Sequence, residues 1–86
     1  MIFEWLPSAK EDYLSLPEAA RRKADKAFLL FQKDPRHPSL HVEKIDTVRG
    51  IWSLRIDRGY RLTFQWIRGG ILIRRMGVHQ DAYRRP

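Results

Sequence analysis

Residues 51–67, IWSLRIDRGYRLTFQWI, contain two β-strands and the turn between them. Apolar and polar residues alternate on both sides of Arg58-Gly59, as they do in strands that have one buried face. The apolar set consists of Trp52, Leu54, Ile56, Leu62, Phe64 and Trp66. Because all of these numbers are even, residues that face each other must sum to an even number, which requires a turn of odd length. A three-residue turn at residues 58–60 predicts the pairs Ile56–Leu62, Leu54–Phe64 and Trp52–Trp66.

The polar side of this hairpin carries two arginines. The same register predicts, on that side, the pairs Asp57–Arg61, Arg55–Thr63 and Ser53–Gln65. Two interpretations of the arginines are open at this point. They are either surface residues, with Arg61 paired to Asp57, or a guanidinium pair that binds phosphate and offsets charge during phosphoryl transfer.

A further strand, residues 71–76, follows the turn at Gly69-Gly70. A two-residue turn and a three-residue loop that includes Arg68 are both compatible with the sequence. Since Arg74 and Arg75 are adjacent in this strand, one of them must share the face of Arg61 in either case.

The N-terminal half is helical after a short edge strand, residues 1–6, which Pro7 closes. Ser8 with Glu11, and Ser15 with Glu18, have the S-x-x-E spacing of a capping box and predict two helix starts. Asp34-Pro35 ends the second helix, because the residue before proline avoids helical dihedrals. The apolar stripe of that helix comprises Leu16, Ala20, Ala24, Ala27, Phe28 and Phe31.

These elements predict one α+β domain over residues 1–86, with two N-terminal helices packed on one face of a mainly antiparallel, roughly four-stranded twisted sheet. The large aromatic residues are assigned to its core and none to a stacking surface: Phe3, Phe28, Phe31, Trp52, Phe64 and Trp66. His37 and His41 lie in a proline-bounded connection and are interpreted as structural or solvated.

The charge of the chain favours an acidic partner. Seventeen Lys and Arg against ten Asp and Glu give a formal charge of +7 and a pI near 10.4, so nucleic acid and acidic protein are both candidates. The absence of cysteine excludes disulfides and thiolate zinc sites, and the three histidines lack metal-cluster spacing. No segment has the length of a membrane span or the pattern of a signal peptide, so a cytoplasmic location is expected.

The order of these motifs resembles the RelE/ParE family of toxins from type II toxin–antitoxin systems, specifically its RelE/YoeB-like branch. The run from Ile51 to Phe64 is similar to the family's W-x-x-R-I-x-x-x-x-R-L-x-Y/F core. His37-Pro38-Ser39-Leu40 and the C-terminal pattern Gly77-x-His79-x-x-x-Tyr83 also match patterns that are common in the family.

The resemblance implies roles for individual residues. Arg61 takes the place of the arginine that holds the scissile phosphate, and Arg55 that of a second basic residue on the neighbouring strand. His79 takes the place of a C-terminal proton donor or acceptor, and Tyr83 that of a tail tyrosine that stacks on the nucleotide or assists proton transfer. Glu43 is a further catalytic candidate, although its spacing to Trp52 does not quite match. Additional RNA contacts are expected from Lys44, Arg74 and Arg75.

The activity that the resemblance implies is metal-independent cleavage of mRNA, usually on the ribosome, by attack of a ribose 2′-hydroxyl, with no cofactor. The implied partners are mRNA, rRNA and a cognate antitoxin protein. Two alternatives stay open: a ParE-like poison of DNA gyrase without nuclease activity, and a nucleic-acid-binding module that performs no chemistry.

Overall fold

The computed structural model describes residues 1–78, 82 and 86. Its elements are β1 (Ile2–Trp5), α1 (Pro7–Ser15), α2 (Glu18–Lys33), a 3₁₀ turn (Pro38–Leu40), β2 (Glu43–Asp46), β3 (Ile51–Arg55), β4 (Tyr60–Ile67) and β5 (Gly70–Val78). The strands form one sheet in the order β1-β5-β4-β3-β2, in which β1 and β5 are parallel and the other neighbours antiparallel. The predicted α+β architecture is confirmed, with a fifth strand, β2, that the sequence pattern did not resolve.

Both helices begin near the predicted places, but neither capping box forms. Pro7 is the first residue of α1, so Ser8 lies inside the helix, where its hydroxyl donates to the carbonyl of Arg74 at 3.0 Å. Ser15 is the last residue of α1 and donates to the carbonyl of Glu11 at 2.9 Å. Neither N-cap residue makes a side-chain hydrogen bond. In the described part of the chain neither helix has the length and apolar character needed to cross a bilayer.

The core lies between the helices and one face of the sheet, as predicted. On α2 the buried residues are Ala20, Ala24, Ala27 and Phe31, which repeat at helical spacing. The Phe31 ring meets Phe64 edge-on, with 5.5 Å between centroids. Trp66 departs from the prediction, because its side chain is 45% exposed although it contacts the core aromatic residues.

The register of the β3–β4 hairpin differs from the predicted one by two residues. Leu54 faces Leu62 and Arg55 faces Arg61, so the predicted pairs Asp57–Arg61 and Arg55–Thr63 are wrong. The predicted parity is correct, since five residues, 56–60, lie between the paired Arg55 and Arg61, and five is also an odd number. The longer turn forms instead of the predicted three-residue turn because Asp57 accepts hydrogen bonds from the backbone N–H groups of Gly59 and Tyr60. Asp57 is therefore part of the turn and does not pair with Arg61.

The turn between β4 and β5 has two residues, Arg68 and Gly69, and Gly69 has a φ of +81°. β5 then contains a bulge at Arg74, since Thr63 faces Arg75 while Phe64 faces Ile73. Parallel pairing with β1 begins at Gly70, where a Cβ would overlap the carbonyl oxygen of Ile2. Glycine at position 70 is therefore what allows the two strands to approach each other.

Candidate functional site

The sheet face opposite the core carries the predicted arginines in two neighbouring rows, and we call it the arginine face. One row consists of Arg55, Arg61 and Gly77 on β3, β4 and β5. The next consists of Glu43, Ser53, Thr63 and Arg75 on β2 to β5. The two predicted phosphate-binding arginines are thus direct cross-strand neighbours.

Arg61 has no counter-charge among the described residues. Its Nη1 atom is buried and has no hydrogen-bond partner among the described residues, and no described carboxylate forms an ion pair with Arg55 or Arg61. A buried donor left unsatisfied costs roughly 1–3 kcal/mol, and like charges directly opposed on a sheet are also unfavourable. Such an arrangement is suited to an anion with several acceptor oxygens, because two guanidinium forks can bind it together.

Asp57 positions this pair by fixing the turn that joins β3 and β4. Its Oδ1 accepts the N–H groups of Gly59 and Tyr60 at 2.8 and 2.9 Å, and its Oδ2 lies 3.4 Å from the Lys23 ammonium. Partial burial opposes ionisation of Asp57, but these donors outweigh it, so the pKa of the carboxyl is lowered below its ordinary value.

Removing the charge of Asp57 is expected to change how stability depends on pH. Because the folded-state pKa is lowered, the carboxylate stabilises the fold above its ordinary pKa, and this contribution is lost as the pH falls through the folded value. Asp57→Asn keeps an acceptor oxygen for the turn and should lose about 1 kcal/mol at pH 7. Urea denaturation of the wild type and the Asp57→Asn variant from pH 7 to pH 3 should show that the difference between their free energies of unfolding becomes smaller at acid pH. A difference that stays constant would mean that the charge of Asp57 contributes nothing.

His41 is a residue of this region that the sequence prediction did not include in the site. It continues the row of Arg55 and Arg61 towards β2, and its Nε2 lies 3.4 Å from Nη1 of Arg55. Its backbone is left-handed, with φ of 45°, which a non-glycine residue adopts only at some cost. The interpretation of His37 as structural agrees with its contacts, since its ring accepts the backbone N–H of Ser39 at 3.2 Å.

Glu43 and Lys44 lie on opposite faces of β2. Glu43 faces Ser53 and therefore lies on the arginine face, one row from Arg55. Lys44 faces Trp52 on the other side of the sheet, with its ammonium 5.3 Å from the ring centroid. Lys44 therefore does not lie on the arginine face, because successive residues of a strand point to opposite faces.

Arg74 and Arg75 both hold partners near the arginine face. Arg75 forms a two-pronged ion pair with Asp12 of α1, at 2.8 and 3.3 Å, which compensates its charge. Arg74, at the bulge, donates to the side-chain oxygen of Gln65 and to the carbonyl of Pro86. The Arg74 guanidinium is therefore held beside Gln65 of β4, while Arg75 fixes α1 to β5.

Pro86 contacts the middle of the arginine face. Thr63 donates to the carbonyl oxygen of Pro86 at 3.0 Å, Ala82 is buried, and Ser53 and Thr63 are fully buried. The candidates His79 and Tyr83 lie outside the described residues. Within residues 1–78, 82 and 86, no three His, Asp or Glu side chains converge to hold a metal ion.

Solved structures that are similar to this chain include toxins and toxin–antitoxin complexes. A YoeB/ParE toxin from Agrobacterium tumefaciens aligns over 92% of this chain and 99% of its own, with a TM-score of 0.74 and 19% identity. The DinJ–YafQ toxin–antitoxin complex from E. coli contains a chain that aligns over 95% of this chain and 96% of its own, with a TM-score of 0.77 and 11% identity. The RelB–RelE antitoxin–toxin complex from Methanococcus jannaschii contains a chain that aligns over 94% of this chain and 95% of its own, with a TM-score of 0.73 and 16% identity.

No protein-family model matches the chain, and no curated protein matches it. Each of the three alignments nevertheless covers nearly the whole of this chain and of the other chain, at TM-scores of 0.73 to 0.77. The chain therefore has the fold of the YoeB, YafQ and RelE toxins, as the sequence motifs predicted.

Proposed function

We propose that this protein is the toxin of a type II toxin–antitoxin system and an endoribonuclease that cleaves mRNA without a metal ion. The observation that carries the proposal is the buried Nη1 of Arg61, which lies opposite Arg55 and has no partner in the part of the chain that the structure describes. A scissile phosphodiester supplies the acceptor oxygens that this pair lacks. The arginines would then offset the charge that builds up on the phosphate as the 2′-hydroxyl attacks.

The reaction also needs a proton acceptor and a proton donor. The 2′-hydroxyl loses its proton as its oxygen bonds to phosphorus, and the departing 5′-oxygen gains one as its bond to phosphorus breaks. We assign one of these proton transfers to His79, as acid or base, with Tyr83 stacking on the nucleotide or assisting proton transfer. Glu43 is a second candidate for the base, because its strand brings it to the same face as Arg55. A diagonal neighbour in a sheet lies roughly 7–8 Å away, within reach of long side chains.

The partners we propose follow from the charge and from the structural neighbours. A protein with formal charge +7 suits rRNA and mRNA, which favours cleavage on the ribosome in the cytoplasm. The solved complexes of YafQ and RelE contain their antitoxins, and we propose that a cognate antitoxin holds this chain inactive.

Induced expression of the chain without an antitoxin is expected to arrest growth by cutting mRNA. Primer extension on mRNA from induced cells should reveal new 5′ ends within minutes of induction. Co-expression of the cognate antitoxin should suppress them. The matched control is the Arg61→Ala variant, which should produce none. Intact mRNA together with gyrase-linked DNA breaks would contradict the nuclease and favour the ParE-like alternative.

A further inference from the structure

A second cleft lies on the core side of the sheet, and the function proposed above does not use it. Its volume is about 740 Å³. One wall is the connection after α2, including Arg36 and His41, and the floor is formed by Trp52 and Trp66. We call it the tryptophan cleft.

Trp66 presents an open aromatic surface in this cleft. Its side chain is 45% exposed, and it lies near the C-terminal end of β4. Phe31 packs against it with 5.5 Å between ring centroids, and the rings of Phe64 and Trp52 meet it nearly at right angles, at 5.4 and 6.3 Å. Three aromatic neighbours hold the indole in one orientation, so little side-chain freedom is lost when a flat ligand stacks on its open side.

The border of the tryptophan cleft is positively charged. Arg36 is exposed and forms no ion pair with any described residue, and Lys44 lies over the neighbouring Trp52 ring. Asp34 also borders the cleft, where its Oδ1 accepts the backbone N–H of Arg36. An aromatic floor with a basic border is the combination that proteins use to hold single-stranded nucleic acid, with bases on the rings and phosphates on the cations.

His41 connects this cleft with the arginine face. It lines the tryptophan cleft, and its Nε2 lies 3.4 Å from Nη1 of Arg55. Arg61 and Trp66 are five residues apart on β4, which is roughly 16–17 Å along the strand. A strand of RNA whose phosphate lies at Arg55 and Arg61 can therefore pass His41 and bring a nucleotide a few positions further along to the cleft.

We propose that the tryptophan cleft is a binding site for an unpaired base of the RNA, with Trp66 as its stacking surface and Arg36 and Lys44 as its phosphate contacts. The proposal rests on the proposed function, because it takes the ligand of the arginine face to be RNA. It makes Trp66 a determinant of RNA affinity and gives the core side of the sheet a part in substrate binding.

The test measures binding without cleavage. The probe is a fluorescein-labelled 2′-O-methyl hexaadenylate, which lacks the attacking hydroxyl, and its affinity is followed by fluorescence anisotropy with the full chain. Stacking on an aromatic residue contributes enough per base that Trp66→Leu should weaken binding about fivefold or more. Trp66→Phe should restore most of the affinity, and the probe should quench the tryptophan emission of the wild type but much less that of Trp66→Leu.

The matched control is Trp5→Leu, a half-buried tryptophan that packs against Tyr13 and Phe28 away from the cleft. It should bind the probe like the wild type, and thermal unfolding of each variant shows that it is folded. Arg36→Ala should lower the slope of log affinity against log salt by roughly one.

Equal affinity of Trp66→Leu and wild type would overturn the proposal and leave the cleft as a contact for an apolar side chain of a protein partner. If that variant binds normally and the wild type cleaves mRNA, the base site fails and the nuclease stands. If Trp66→Leu loses affinity and no mRNA is cleaved, the base site stands and the nuclease fails. No binding by the wild type would overturn both.

Discussion

Arg61→Ala is expected to lower the rate of RNA cleavage by about 10²–10³-fold while the domain stays folded. The guanidinium lies opposite Arg55 on the arginine face, and its buried Nη1 has no partner among the described residues. A preorganised donor of this kind acts on the charge that develops in the transition state, so its loss reduces turnover more than binding. Single-turnover cleavage of a labelled RNA measures the effect directly.

The stability of the Arg61→Ala protein provides an independent check. The variant removes an unsatisfied buried donor and a like-charge neighbour of Arg55, so its free energy of unfolding should equal or exceed that of the wild type. Arg58→Ala is the matched control, because Arg58 is exposed in the adjoining turn and carries the same charge. Cleavage that falls equally in both variants would show that overall charge, and not the site, is responsible.

Arg61→Lys separates charge from shape. Lysine keeps the positive charge but has no planar fork, so it cannot bind two phosphate oxygens side by side. Activity close to that of alanine would indicate that the fork is needed, and activity close to that of the wild type would indicate that charge suffices.

Phe31→Ala is expected to reduce the free energy of unfolding by about 3–5 kcal/mol. The ring is fully buried and lies 5.5 Å from the rings of both Phe64 and Trp66, so its removal opens a cavity between α2 and the sheet. Small domains have a total stability of about 5–15 kcal/mol, so the variant should be partly unfolded at growth temperature. Urea denaturation followed by far-UV circular dichroism measures the loss.

Leu29→Ala is the matched control for this loss, because Leu29 lies on the same helix and is 64% exposed. Its free energy of unfolding should stay within about 0.5 kcal/mol of the wild type. If Phe31→Ala lowered the free energy of unfolding by no more than Leu29→Ala does, the core would have to be located elsewhere.

The hairpin shows how far alternation in the sequence determines a fold. Even numbering of the apolar residues assigned each side chain to its face correctly and required an odd connection. It did not distinguish three residues from five, because both preserve parity. The choice depends on Asp57, whose carboxylate binds the N–H groups of Gly59 and Tyr60 and shifts the register by two. A local side-chain hydrogen bond, rather than the apolar pattern, therefore brought Arg55 opposite Arg61.

The candidate site could be predicted where it depends on strand parity and not where it depends on backbone detail. Arg55 and Arg61 were assigned to one face correctly. The face of Lys44 was not predicted, because Glu43–Asp46 is a short charged strand without visible alternation. His41 was missed for a related reason: its approach to Arg55 requires both the β2–β3 register and a left-handed backbone that the sequence does not reveal.

The pairing of β1 with β5 has a consequence for the order of events during synthesis. Ile2 is made before every other strand of the sheet, yet its partner Gly70 follows only after β2, β3 and β4 have been translated. The apolar N-terminal strand must therefore wait for the last strand, and the sheet cannot be completed from its N-terminal end. Arg61 likewise gains its β5 neighbour Gly77 only at that stage. A chain in which β5 has not yet been made thus has no finished arginine face, and the proposed activity is confined to molecules that contain β5.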